Sequence, residues 1–268
     1  MQPPLAIDIR HATVAADGTE ILRDLTWQVA RGERWFILGA NGAGKTTLVK
    51  TILGLLWPRR GGSVAVLGCR FGQDDLQAAR AKIAWASPFL STWMQSDGGE
   101  NMTVLDAVLT GADASVQRYR AATAGENERA RAALEKMGAA HLAGRPFARC
   151  SSGEQVKALI ARAMMRDPEL LILDETCVHL DLQSREALLA AVDGLAAAAP
   201  ATTMLFVTQR LEEITPTFAR GLILAAGKIA AQGPREEILT PDNLALAFPG
   251  LSLRLMPGPG GRLWPLPQ

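Results

Sequence analysis

Cysteine is scarce in this chain of 268 residues: Cys69, Cys150 and Cys177 are odd in number, widely separated and without metal-ligand spacing. That argues against a disulfide framework and fits reduced thiols in a cytosolic protein. Charge of one sign is missing as well. With 28 Lys+Arg against 27 Asp+Glu the formal charge is +1, so there is no general electrostatic pull toward nucleic acid or an acidic membrane, and no nucleic-acid partner is expected. No uninterrupted run of about 18 apolar residues occurs, the length a spanning helix requires. The opening Met1-Gln-Pro-Pro-Leu-Ala-Ile-Asp8 puts prolines and a charge where a signal peptide needs an apolar core. The expectation is a cytoplasmic chain that does not itself cross a membrane. Internal repeats are absent.

What is present is 48% hydrophobic content, enough to bury the full core of one multi-lobed domain. The chain is organised around Gly39, Ala40, Asn41, Gly42, Ala43, Gly44, Lys45, Thr46 and Thr47, which fit G-x-x-x-x-G-K-[ST]. The apolar Trp35-Phe36-Ile37-Leu38 before it predicts a buried strand. The residues after it predict a helix with Leu48 and Ile52 on one face. In that setting the glycines allow a tight turn that aims successive backbone N–H groups at phosphate oxygens, and the helix N-terminus adds its positive dipole end. Lys45 would bridge the terminal phosphates and the Thr46 hydroxyl would bind Mg²⁺.

Along the chain, Leu5 to Thr13 and Glu20 to Ala30 read as two strands joined across an Asp-Gly turn. Ser63 to Leu67 reads as a strand, Asp75 to Ala81 as a short helix, and Ile83 to Ala86 as a further strand. From Pro88 to about Cys150 the pattern predicts a helical insertion, with a polar loop at 96–101 and helices at Val104 to Leu109 and Glu126 to Met137; the charges from Glu126 to Arg131 read as a solvated face. Ser151 followed by Glu154 has capping-box spacing at the head of a helix whose buried face is Val156, Leu159, Ile160 and Ala163. Leu170 to Leu173 is continuously apolar, as a central parallel strand would be, and delivers Asp174 and Glu175 at its C-terminal end, where ligands bind in such sheets. A helix from Leu182, a strand from Thr203 to Thr208 and a hairpin around Ala226-Gly227 follow. Repeated Pro and Gly beyond Pro249 predict a loose tail over 250–268.

The loop at Gly39 to Thr47, the run Cys150-Ser151-Ser152-Gly153-Glu154-Gln155, the acidic strand end Asp174-Glu175 and Leu180-Asp181 stand in one order. That order resembles the nucleotide-binding domain of the ABC (ATP-binding cassette) ATPases, over roughly Leu5 to Leu239. The resemblance implies an α/β P-loop NTPase core with a mainly parallel sheet, an N-terminal antiparallel β-subdomain and an inserted helical subdomain. The cassette would cover 1–249, with the insertion at about 88–150. The stretch Thr103 to Gly111 is most similar to the molybdate-type ATP-binding subunits. In the family, two cassettes dimerise head to tail with each ATP between the loop of one and the signature of the other. Carried onto this sequence, Ser152 and Gly153, within the signature Ser151 to Gln155, cap the γ-phosphate in trans. Asp174 holds Mg²⁺ with Thr46, Glu175 is the general base, and Asp181 lies in the interface loop. A separately encoded membrane permease is implied as partner, which would keep the chain on the inner face of the cell membrane.

Three places depart from the family pattern. Residues 1–26 hold no aromatic to stack on adenine, the expected place being near Val14 to Ala16; Trp27 and Trp35 read as strand core. Gln209 stands where the family has a switch histidine, and it can orient a water but carries neither proton nor charge. Pro88 stands near the coupling glutamine, for which Gln95 could serve only in a reshaped loop. His179 lies where it could supply an imidazole in trans, although a plain interface residue is the simpler reading. These departures leave open a slow regulatory ATP-binding module, and beyond it a soluble cassette acting on nucleic acid or ribosomes, against which the missing basic excess counts.

Overall fold

In the computed structural model, which describes residues 4–96 and 101–267, the chain opens with a long hairpin. Strands β1 (Leu5–Ala16) and β2 (Thr19–Ala30) pair antiparallel across Asp17 and Gly18. Both turn residues sit at positive φ, 49° and 79°, the geometry an Asp-Gly turn supplies. Then come β3 (Arg34–Leu38), α1 (Lys45–Ile52), β4 (Ser63–Val66), β5 (Cys69–Arg70), α2 (Leu76–Arg80) and β6 (Ile83–Ala86). Helices α3 (Pro88–Ser96), α4 (Val104–Leu109), α5 (Ala124–Lys136) and α6 (Ser152–Ala163) form the next block. Last are β7 (Leu170–Asp174), α7 (Leu182–Ala198), β8 (Thr203–Thr208), β9 (Arg220–Ala225), β10 (Lys228–Pro234), α8 (Arg235–Ile238), α9 (Pro241–Ala247), β11 (Leu253–Pro257) and β12 (Leu263–Pro267).

The strands form three sheets. A four-stranded antiparallel sheet runs β2-β1-β4-β5, and a six-stranded sheet runs β10-β9-β3-β8-β7-β6, parallel except for the β9–β10 hairpin. Side chains alternate across a strand, so each central strand of the larger sheet feeds two cores. Phe36, Leu38, Leu171, Leu173, Met204 and Phe206 face the core shared with the helices. Trp35, Ile37, Leu170, Ile172, Leu205 and Val207 face the core shared with α1 and the antiparallel sheet. Burial on both faces is why these strands read as unbroken apolar runs. Trp85 of β6 packs against both cores. Trp27 and Trp35 are 1% and 3% exposed and meet edge to face at 5.5 Å, as strand core.

Two expectations need correction or restriction. The stretch beyond Pro249 is not loose: β11 and β12 form an antiparallel hairpin with Leu253 opposite Pro267 and Pro257 opposite Leu263. Leu253, Leu255 and Leu263 pack it against the helical-side core. Prolines are tolerated because a two-stranded ribbon has only edges, where a missing N–H breaks no central ladder. The expected polar loop at 96–101 lies largely outside the described residues. Elsewhere between Pro88 and Cys150 the regular elements are helical, with one isolated bridge between Thr103 and Pro146.

Candidate functional site

The glycine-rich loop connects β3 to α1 at the C-terminal edge of the parallel strands. Gly44 is the N-cap of α1 at φ 104°, a left-handed conformation that side chains rarely adopt. A Cβ on Gly39 would lie 2.5 Å from the Leu224 carbonyl oxygen, so the loop's close approach to β9 also requires glycine. With no side chain capping α1, the backbone N–H groups of its first turn remain directed into the loop. The Lys45 side chain is 4% exposed; its Nζ donates to the carbonyls of Gly39 at 3.0 Å and Ala40 at 3.1 Å and lies 3.3 Å from Glu175 Oε1. Thr46 is exposed to the adjoining cleft.

That cleft, of about 540 Å³, is lined by Thr46, Trp85, Ser152, Asp174, Glu175 and His179 among others. Asp174 ends β7 and is 5% exposed. The Trp85 indole N–H donates to its Oδ2 at 3.4 Å, while its Oδ1 is buried with no hydrogen-bond partner. Burial, and after it the neighbouring Glu175 charge, raises the Asp174 carboxyl to about 6. A buried carboxylate oxygen without a donor is costly, and a cation beside Thr46 would satisfy it. Among the described residues no three His, Cys, Asp or Glu side chains gather as a metal cage; a hard cation that keeps its waters and the ligand's phosphates needs only one or two carboxylates. Glu175 has φ 51° and its N–H donates to the Val207 carbonyl at 3.0 Å. This left-handed backbone, unusual for a glutamate, turns the chain sharply out of the strand.

Of the remaining predicted residues, Ser151 caps α6: its Oγ accepts from Glu154 N–H at 3.3 Å, and the Glu154 carboxylate accepts from Ser151 N–H at 2.7 Å. The Ser152 hydroxyl donates to the His179 carbonyl of its own chain at 3.2 Å. Gly153 is buried against Ser184, and Gln155 donates to the carbonyls of Phe147 and Cys150 at 3.2 Å each, shaping its own loop. Asp181 caps α7, accepting from the Ser184 N–H at 2.8 Å and hydroxyl at 2.9 Å. Gln209 follows β8 beside a small knot in which Thr208 Oγ1 donates to Glu213 and accepts from Arg210 N–H at 3.0 Å. It is not among the residues lining the cleft. Pro88 begins α3, and Gln95 falls in the last turn of that helix.

Trp85 is the residue that sequence reasoning passed over, having taken it only as part of an apolar strand. The available signal was chemical, since a tryptophan in a short buried strand brings an N–H that needs an acceptor. His179 sits at φ 64° and lines the cleft of its own chain.

The family model described as ABC transporter matches residues 22–178. A Streptococcus mutans protein described as an ABC transporter ATP-binding protein is 41% identical over 238 residues, covering 89% of this chain and 90% of the relative. Among solved structures, a metal-chelate type ABC transporter in an inward-facing conformation aligns with TM-score 0.79 at 24% identity, covering 98% of each chain. A dimeric bacterial ABC transporter cassette aligns with TM-score 0.70 at 22% identity, covering 85% of this chain and 98% of the other. With more than half of its length inside the family model and close identity to a relative along nearly all of it, this chain belongs to the ABC transporter family, as one of its ATP-binding, ATP-hydrolysing subunits.

Proposed function

We propose that this chain binds Mg-ATP at Gly39 to Thr47 and closes head to tail with a second cassette, so that hydrolysis drives a separately encoded membrane permease. The observation that carries the reading is the meeting of Lys45, Glu175 and the partnerless Asp174 oxygen at one cleft edge. On binding, the Lys45 ammonium exchanges loop carbonyls for phosphate oxygens, and the N–H groups heading α1 receive the rest of the anion. Asp174 and Thr46 would hold Mg²⁺, whose charge offsets that of the phosphates. Glu175, one-third exposed, takes up the proton of the attacking water as general base. Gln209 orients that water without adding charge, which makes turnover slow.

The signature of the second copy completes the site, with one adjustment to the expected roles. The Ser152 hydroxyl proton is engaged by the His179 carbonyl, whereas Ser151 uses its oxygen as acceptor and keeps its own O–H to donate. Ser151 is therefore the better γ-phosphate donor, with the N–H groups of Ser152 and Gly153 beside it. That a structural neighbour is a dimeric cassette supports a two-cassette reading.

The test is Mg²⁺-dependent ATP turnover of the purified chain. Lys45→Ala and Glu175→Gln each lower it by at least about a hundredfold, the scale of a lost general base or phosphate anchor. Glu175→Gln still binds ATP. No turnover in the parent would refute the enzyme; turnover with no membrane protein co-purifying from membranes would refute only the permease.

A further inference from the structure

The hairpin of β11 and β12 lies outside the residues matched by the family model. One of its side chains reaches two elements that adjoin Asp181 and Gln209 in the chain. Arg262, 8% exposed, sends Nη1 and Nη2 to the two carboxylate oxygens of Glu186 at 3.2 and 2.5 Å, and Nη1 also donates to the Glu212 carbonyl at 3.2 Å. Its Nε donates to the Pro259 carbonyl at 3.4 Å, and its guanidinium stands 5.9 Å from the Trp264 ring centroid. Glu186 belongs to the second turn of α7, whose N-cap is Asp181. Glu212 lies in the short 3-10 turn Leu211–Glu213, directly after Gln209 and Arg210. One buried fork thus ties together the segment that carries Gln209 and the helix that leaves the interface loop.

The ties around that fork agree. Arg185 Nη1 lies 3.8 Å from Glu212 Oε1, and the Thr215 hydroxyl donates to Asp193 of α7 at 2.6 Å. Gly261 lies against the Pro216 ring, and Arg235 donates to the Gly261 carbonyl at 2.7 Å. The Arg262 fork, first among the causes, holds the Glu186 carboxyl below its usual range, so the pair is ionised at neutral pH. A planar bidentate contact fixes direction as well as distance, which a single point charge does not.

We propose that Arg262 is a positioning residue for ATP hydrolysis: from the C-terminal hairpin it holds the Gln209 segment in fixed relation to α7. The inference rests on the role given to Gln209 above. Its test therefore has a readout that does not need turnover, namely amide hydrogen exchange of nucleotide-free, full-length protein. In Arg262→Ala, exchange across 209–215 rises about tenfold, equivalent to about 1.4 kcal/mol of lost protection, while β3 and β7 exchange as in the parent. The kcat falls by about the same factor with KM for ATP unchanged, the pattern of a group that acts only on the reacting geometry. Arg262→Lys lies between the two, since an ammonium pairs with Glu186 but cannot reproduce the fork. Met256→Ala, on the exposed side of the hairpin, matches the parent in both readouts. Should Arg262→Ala fail to fold, Glu186→Gln removes the ion pair from the other side and shifts both readouts in the same direction. Parent-like exchange at 209–215 in the folded variant overturns the brace, whatever the ATPase rate. Faster exchange with unchanged kcat overturns the positioning role. A parent that does not turn over is a failure of the proposed function and shows before any variant is compared.

Discussion

At the scale of single residues, three unusual features meet at the candidate site. Asp174 is buried with one oxygen unmatched, Glu175 is twisted to positive φ, and Lys45 is buried among carbonyls. Under the proposed function the unmatched Asp174 oxygen is the cost that a bound cation would offset. Gln209, proposed above to orient the attacking water, is an uncharged amide that carries no proton. Gln209→His is expected to raise kcat by at least about tenfold, below the full range of general acid–base contributions, with little change in KM; steady-state ATPase assays check it, and an unchanged rate would mean Gln209 is not limiting. Much at this scale could be read in advance. The position of Asp174 and Glu175 was legible because a four-residue apolar run is too short for a buried helix and fits a covered strand, whose C-terminal end is where ligands bind in such sheets. The Trp85 contact was not, because its acceptor lies 89 positions away and nothing local encodes the pairing.

At the scale of elements, the start of α6 was legible, since a capping box is satisfied within four residues, whereas α3 was not foreseen and α5 begins two residues before the expected Glu126. Helix α6 has the Ser151–Glu154 capping box that its spacing predicts. Helix α5 has a second one, Thr123 with Glu126, reinforced by Arg120, whose Nη2 is 2.6 Å from Glu126 Oε1. That box corrects the reading of Glu126 as part of a solvated charged face. The Arg120 fork, and after it the Thr123 N–H, holds the Glu126 carboxyl down at about 2, below its ordinary 4.5. The unfolded chain takes up this proton first as pH falls, so the stabilisation is complete above 4.5 and is lost on descent toward 2. Arg120→Ala should therefore lower Tm near neutral pH, and its gap from the parent should close across that window; thermal melts over a pH series measure this, and a pH-independent gap would refute it. The C-terminal hairpin was illegible for the opposite reason. Proline and glycine announce turns, but the pairing of β11 with β12 and the Arg262–Glu186 contact, 76 positions apart, are tertiary facts.

At the scale of the whole molecule, a balanced charge gives no hint of a partner; the expected partner is first of all another cassette. Glu175→Gln with Mg-ATP should shift the light-scattering mass from the 28.6 kDa monomer to a dimer, because binding assembles the interface and the missing base leaves it closed. EDTA should return it to monomer, and a persistent monomer with bound ATP would sink the shared-site arrangement. Trp85 ties the parts of the single chain together. Its ring is bedded in two cores, one shared with the helices and one with the antiparallel sheet, while its N–H reaches the Asp174 carboxylate through a 3.4 Å contact. One side chain thus joins three parts of the molecule that lie far apart in the sequence: the core beneath the helices, the core beneath the antiparallel sheet, and the carboxylate that ends β7.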